Sequence, residues 1–302
     1  MQKKPVVEIK GVSKKLGSIQ AVDKLDMCVY ENDIYGFLGP NGSGKSTTIR
    51  MMLALLSRDS GSINIFGKPL DKNRDQILGN MGAFIEKPDF YEYLTAYKNL
   101  ELLCKYSGVP AIPDKINATL ESVGLLDRAN SKVKTFSKGM KQRLGIGQTL
   151  LHDPDLLILD EPTSGLDPSG VKDIRDLIRS LNRDKGKTII LSSHQLQDIE
   201  MTANRMCIIN KGKLIVEGDV GELLMKHSYF TVFEVDQIDS SVEVLESSGF
   251  EIEIIGNDRN QIKVVCKREI VPEINKILVN NNIAVKSIGT KQNLEDYFLT
   301  LT

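Results

Sequence analysis

Nine residues, Gly39 to Thr47, read GPNGSGKST, and they stand between the apolar run IYGFLG and the run STTIRMMLALL. Such a string does not fit inside a regular element. Its glycines favour backbone with positive φ, and the apolar pattern changes from strand-like to helix-like across it. The segment therefore reads as a strand, a tight loop and a helix that starts near Lys45. Backbone curled by glycine points successive N–H groups at one spot, and a helix N-terminus adds its dipole. The combination makes a cradle for phosphates.

The string contains GxxxxGK[ST], the P-loop pattern, in the strand-to-helix context that the pattern requires. Gly39, Pro40, Asn41, Gly42, Ser43, Gly44, Lys45, Ser46 and Thr47 are thus candidate nucleotide-binding residues. Lys45 is expected to reach the β- and γ-phosphates, and the Ser46 hydroxyl to ligate Mg²⁺. A second apolar run, LLILD at 156–160, ends in Asp160 and Glu161. Open α/β sheets bind ligands at the carboxyl ends of their strands, so both acids are expected beside the phosphates. Asp160 suits the metal-holding acid, and Glu161 the general base for the attacking water. A strand followed by two acids usually means only a capped loop; the P-loop upstream gives it weight. His194 follows a third apolar run, TIILSS, and emerges at the same edge. A lone histidine is more often structural, and only this position marks it as catalytic.

From Val6 to about Leu70 short apolar runs broken by turns predict strands, and about 91–151 is mostly helical. Apolar runs alternating with helices then predict a parallel sheet covered on both faces. Composition shifts near Gly221–Ser228. Beyond it, FTVFEV, EIEII, QIKVVC and IAVKSIG alternate with helices expected around Ser241–Ser248 and Ile270–Asn281. That β-α-β-β-α-β order suggests a small ferredoxin-like unit. A last helix is expected to carry Leu294, Tyr297, Phe298 and Leu301 on one stripe.

A net charge of −1 gives no overall basic field, so nucleic acid is not an expected partner. Four scattered cysteines, Cys28, Cys104, Cys207 and Cys266, read as reduced residues of a cytosolic protein. The start, MQKKPVVEIK, lacks the apolar core of a signal peptide. No apolar stretch approaches the roughly 18–20 residues of a spanning helix. Any action on a membrane is expected to pass through a partner.

From about Val6 to Asp219 the chain resembles the nucleotide-binding subunits of ABC transporters, with the motifs in the family's order. FSKGM, at 136–140, looks like the signature sequence, SGLD at 164–167 like the D-loop, and His194 like the switch histidine. The resemblance implies an α/β fold: a P-loop NTPase of the ABC type at about 1–222, with a helical insertion at about 90–150 and an antiparallel β subdomain. Residues 229–302 would form the small α+β accessory domain. It also implies ATP and Mg²⁺ as cofactors and a head-to-tail dimer, with a homodimer as the expected form. Each ATP would lie between the P-loop of one subunit and Ser137 and Gly139 of the other, with Asp167 of the D-loop nearby. The further partner would be a separate integral membrane permease, which places the chain at the cytoplasmic face of the membrane.

Three features depart from the family's common form. Lys138 and Met140 replace Gly and Gln in the signature, and Glu86 replaces the Q-loop Gln. The Glu86 carboxylate can ligate Mg²⁺ but cannot donate a hydrogen bond. The aromatic expected to stack on adenine falls near Leu16, and Lys10 to Val29 contains no aromatic. With the C-terminal NLEDYFLTLT, these features resemble the drug- and peptide-antibiotic-export branch, that of bacitracin-resistance and lantibiotic-immunity subunits. Two other classes stay open at this point: a soluble ABC ATPase acting on ribosomes or DNA, and a sensor in which the C-terminal unit controls the ATPase.

Overall fold

The computed structural model describes residues 4–85, 88–226, 229–255, 260–266 and 268–292. β1 (Pro5–Leu16) and β2 (Ile19–Tyr30) form a hairpin, and β3 (Ile34–Leu38) leads through the phosphate loop into α1 (Lys45–Met52). β4 (Ser60–Ile65), β5 (Lys68–Pro69), α2 (Arg74–Leu78) and β6 (Met81–Phe84) follow. The helices α3 (Ala96–Tyr106), α4 (Pro113–Ser122) and α5 (Lys138–Thr149) precede β7 (Leu156–Leu159). Next come α6 (Pro168–Lys185), β8 (Thr188–Ser193), α7 (Leu196–Glu200), β9 (Arg205–Asn210) and β10 (Lys213–Asp219). The remainder is α8 (Val220–Lys226), β11 (Tyr229–Val235), α9 (Ile238–Ser247), β12 (Ile252–Ile255), β13 (Gln261–Val265), α10 (Val271–Asn280) and β14 (Val285–Gln292). The chain divides into two compact units between Asp219 and Val220.

Every residue of β3, β7 and β8 is buried. Strands covered on both faces need such unbroken apolar runs, and these three lie at the centre of a six-stranded sheet ordered β10-β9-β3-β8-β7-β6. All its pairings are parallel except that of β9 with β10. The second sheet, β2-β1-β4-β5, is antiparallel, with many polar residues on β1 at half-buried or exposed positions.

α6 shows how local signals fix an element. Pro168 opens it at a position where a missing N–H costs nothing, and Gly186 closes it with a φ of 64°. Ile174, Leu177, Ile178 and Leu181 recur at helical spacing and are all buried. Each contributes roughly 1.5–3 kcal/mol of burial. α5 approaches β6 closely because of Gly145, where a Cβ would lie 2.5 Å from the Phe84 ring.

Two backbone bonds join the hairpin to the phosphate loop through Gly212. The Asp23 N–H donates to the Gly212 carbonyl at 2.9 Å, and the Gly212 N–H donates to the Ser43 carbonyl at 2.9 Å.

In the second unit an antiparallel sheet ordered β12-β13-β11-β14 carries its own core. Phe233, Val235, Ile262 and Val264 pack with Leu245 of α9 and Ile274 and Leu278 of α10. The helix expected at 294–301 lies outside the described residues.

Candidate functional site

Parallel register brings the sequence-marked residues to one edge. Leu38, the last residue of β3, pairs with Ser193 of β8, and Leu159, the last of β7, pairs with Leu191. The phosphate loop, the two acids and His194 therefore all leave the sheet at its carboxyl edge, where the Gly39 N–H donates to the Ser193 carbonyl at 3.3 Å. Gly42 and Gly44 have φ of 79° and 108°, values that L side chains resist, and a Cβ on Gly44 would stand 2.4 Å from the Ala21 carbonyl. Asn41, Gly42 and Ser46 are exposed, Pro40 and Thr47 half-buried.

The Lys45 ammonium is buried inside this curl, donating to the carbonyls of Gly39 at 2.7 Å and Pro40 at 3.2 Å. Burial pulls its pKa below the ordinary lysine value, and the carboxylates of Glu161 and Asp160 partly oppose that. Glu161 Oε1 lies 3.9 Å from the ammonium. The Ser43 hydroxyl is buried and has no hydrogen-bond partner among the described residues. A buried donor left over beside a buried cation, in a loop shaped by glycine, suits an anionic ligand such as a nucleotide's phosphates.

Around Asp160 the contacts form one continuous chain. Ser46 Oγ donates to Asp160 Oδ2 at 3.1 Å, and Ser192 Oγ donates to Asp160 Oδ1. The Glu161 N–H donates to Ser192 Oγ at 2.9 Å, and His194 Nδ1 stands 2.8 Å from Glu161 Oε2. Glu161 itself has a φ of 49°, the left-handed region that non-glycine residues avoid. Behind it the Thr163 hydroxyl donates to Asp198 Oδ2 at 2.6 Å in a buried pair, which ties the following loop to α7. A hydroxyl and a carboxylate facing each other present hard oxygen ligands of the kind that Mg²⁺ takes. Glu86 lies outside the described residues. The β6 end is close by, since the Asp160 N–H donates to the Phe84 carbonyl at 2.8 Å.

Ser137, Gly139 and Asp167 line a separate cleft of about 260 Å³ with Lys138, Gly165 and Ser169. Ser137 caps α5, its hydroxyl accepting the Met140 N–H at 3.2 Å. Asp167 accepts from the Ser169 hydroxyl at 2.5 Å, which holds its carboxyl below the ordinary range. The Lys138 ammonium donates to the Gly165 carbonyl at 2.8 Å. Leu16 lies at the tip of the β1–β2 hairpin, paired with Ile19, and both are exposed.

No local sequence motif marks Ser192 as part of the site. In an apolar strand a single hydroxyl reads as filler, and only its neighbours in space reveal its two contacts. The polar doublet Ser192–Ser193, where TIIL would otherwise continue, was the available signal.

The ABC transporter family model matches residues 22–164. The bacitracin transport ATP-binding protein BcrA of Bacillus licheniformis is 41% identical over 298 residues, 98% of this chain and 97% of that protein. The lantibiotic transport ATP-binding protein SrtF of Streptococcus pyogenes is 39% identical over 212 residues, 70% of this chain and 90% of SrtF. Among solved structures, the ATP-binding cassette MJ0796, a dimeric post-hydrolysis state bound to ADP and phosphate, aligns with a TM-score of 0.63 at 25% identity. That alignment covers 71% of this chain and 98% of the cassette. With such identity along nearly its whole length, the chain belongs to the ABC transporter family, as an ATP-binding subunit.

Proposed function

We propose that the chain hydrolyses Mg·ATP as half of a dimer and thereby drives a separate membrane permease that exports a peptide antibiotic or a similar amphipathic substrate. The observation that carries the ATPase reading is the unbroken run of contacts Ser46–Asp160–Ser192–Glu161–His194 beside the buried Lys45 ammonium. In this reading Gly39 to Thr47 wrap the phosphates, and Lys45 supplies their fixed cation. Ser46 and Asp160 would hold Mg²⁺, which would supply neutralisation of phosphate charge. Glu161 takes the proton of the attacking water, and His194 holds the carboxylate in place.

Ser137 and Gly139, at the start of α5, serve the ATP of the second copy, with Asp167 at the junction. Leu16 lies against the adenine. The export reading is supported by the named functions of BcrA and SrtF. Residues 1–222 are the motor in this reading, and 229–302 an accessory ferredoxin-like domain, supported by the sheet order β12-β13-β11-β14. Among the described residues no helix is long and apolar enough to cross a membrane, in keeping with a permease on another chain.

Phosphate release by the purified chain with Mg·ATP tests the motor. Survival in bacitracin or a lantibiotic, with the chain and its permease expressed together, tests the export. A chain that releases no phosphate alone or with its permease overturns the first reading. Unchanged survival with an active ATPase overturns only the second.

A further inference from the structure

Ser192 is fully buried in β8, where it pairs with Phe37 of β3. Side chains alternate across a strand, so Ser192 shares a face with Ile190, and Asp160, one step past β7, shares the face of Ile158. Ile158, Ile190, Tyr35 and Phe37 pack in one core cluster with Ile49 and Met52 of α1. This is the interior of a parallel sheet, where an aliphatic residue is the natural occupant. A hydroxyl placed there is costly unless its hydrogen bonds are made.

Both kinds are made, and they share one direction. The Glu161 N–H donates to Ser192 Oγ at 2.9 Å, and the hydroxyl spends its only proton on Asp160 Oδ1. Asp160 Oδ2 is meanwhile taken by the Ser46 hydroxyl at 3.1 Å. Each oxygen of Asp160 therefore has its own donor, which fixes the rotation of the carboxylate about its bond to Cβ. Each link also polarises the next, because an N–H feeds an O–H that feeds an anion. The same N–H bond restrains Glu161, whose φ of 49° has to be held by something outside the residue.

We propose that Ser192 is a positioning residue that locks the metal-holding Asp160 and the base Glu161 into one rigid unit through a single hydroxyl. Removing that hydroxyl frees Asp160 to rotate and lets Glu161 relax from its left-handed backbone. The loss falls on the geometry of turnover and leaves the phosphate grip of Lys45 and the glycine loop intact. The inference rests on the roles proposed above for Asp160 and Glu161.

The test compares wild type, Ser192→Ala and Ser192→Thr as whole chains. In protein free of nucleotide and metal, amide hydrogen exchange at Glu161 is expected to be about tenfold or more faster in Ser192→Ala, the scale of one lost hydrogen bond beside a charge. In the Mg·ATP assay kcat is expected to fall about tenfold or more while KM changes less than about threefold. Ser192→Thr, which keeps the hydroxyl, is expected to restore most of both. Unchanged exchange at Glu161 in Ser192→Ala overturns the proposal. So does a fall in kcat accompanied by an equal loss of ATP affinity and of melting temperature, which marks a general packing defect. If wild type itself does not hydrolyse ATP, the ATPase reading fails while the exchange measurement still decides the role of Ser192.

Discussion

His194 Nδ1 stands 2.8 Å from Glu161 Oε2, while the other oxygen of that carboxylate faces the Lys45 ammonium at 3.9 Å. One carboxylate is thus gripped from two sides, by a residue at the end of β8 and by one at the start of α1. On the lysine side the grip is buried, the Glu161 backbone is held from within the sheet, and His194 meets the carboxylate from an exposed position.

Glu161→Gln keeps the shape of this arrangement and removes the basic charge. The variant is expected to bind Mg·ATP within about threefold of wild type and to accumulate as an ATP-bound dimer. Its turnover is expected to fall by about 10²–10⁴, the usual contribution of a general base. Steady-state phosphate release and size-exclusion chromatography with ATP check both points; turnover near the wild-type rate removes Glu161 from the role.

Ser137→Arg places a bulky cation in the cleft formed with Gly139 and Asp167. Nucleotide affinity of the isolated monomer is expected to stay unchanged, and hydrolysis to be abolished, because in the proposed dimer Ser137 serves the second copy's ATP. Mixing this variant with Lys45→Ala is expected to restore at most one working site per dimer. Titration with a fluorescent ATP analogue, paired with phosphate release, separates the two effects. A monomer that loses affinity outright contradicts the head-to-tail reading.

Leu16 and Ile19 are exposed aliphatic residues at the hairpin tip proposed to face the adenine. Stacking a base on an aromatic is worth about 1–3 kcal/mol. Leu16→Tyr is therefore expected to tighten ATP binding by about fivefold or more. Wild type is expected to discriminate poorly between ATP and GTP, since the phosphate contacts are the same for both. Titrating both proteins with both nucleotides decides it, and equal ATP affinities would mean that Leu16 does not face the base.

Lys187, nearly buried, holds the carboxylate of Asp153 at 2.7 Å and keeps its pKa below the ordinary value of 3.8. A depressed carboxylate stabilises the fold above its unfolded pKa, and the contribution disappears as pH falls through the folded value. Asp153→Asn is expected to melt below wild type at neutral pH, by about 1 kcal/mol or less because Asp153 is largely exposed. The gap is expected to close as pH drops below the carboxylate range. Asn tolerates the positive φ of 57° at this position, so the comparison isolates the charge. Melting curves across that pH range provide the check.

The elements that hold the site were readable because their physics is local. LLILD and TIILSS read as buried strands, and β7 ends at Leu159, just before the acids, while β8 runs two residues past Leu191 through the serine doublet. The helix that starts at Lys45 stops at Met52, although the apolar run continues to Leu56, because Ala54 turns to a φ of 52° and the chain must fold back into β4. Only VVEI near its start is an apolar run, yet β1 runs for 12 residues. Its later half, with Lys10, Ser13, Lys14 and Lys15, carries no apolar run and is held largely by ladders to β2 and β4. Ser192 and the tie from Lys138 to Gly165 depend on partners 32 and 27 residues away, and no local pattern encodes such distances.

The stitching of Gly212 to both Ser43 and Asp23 has a mechanical meaning. The loop shaped for phosphates and the hairpin bearing Leu16 are clamped by the same short turn between β9 and β10. With Leu16 against the adenine as proposed, a nucleotide gripped by its phosphates would meet a base platform set at a fixed offset. The two ends of the ligand would be gauged by one rigid caliper, and a nucleotide of the wrong length could satisfy one jaw only by giving up the other.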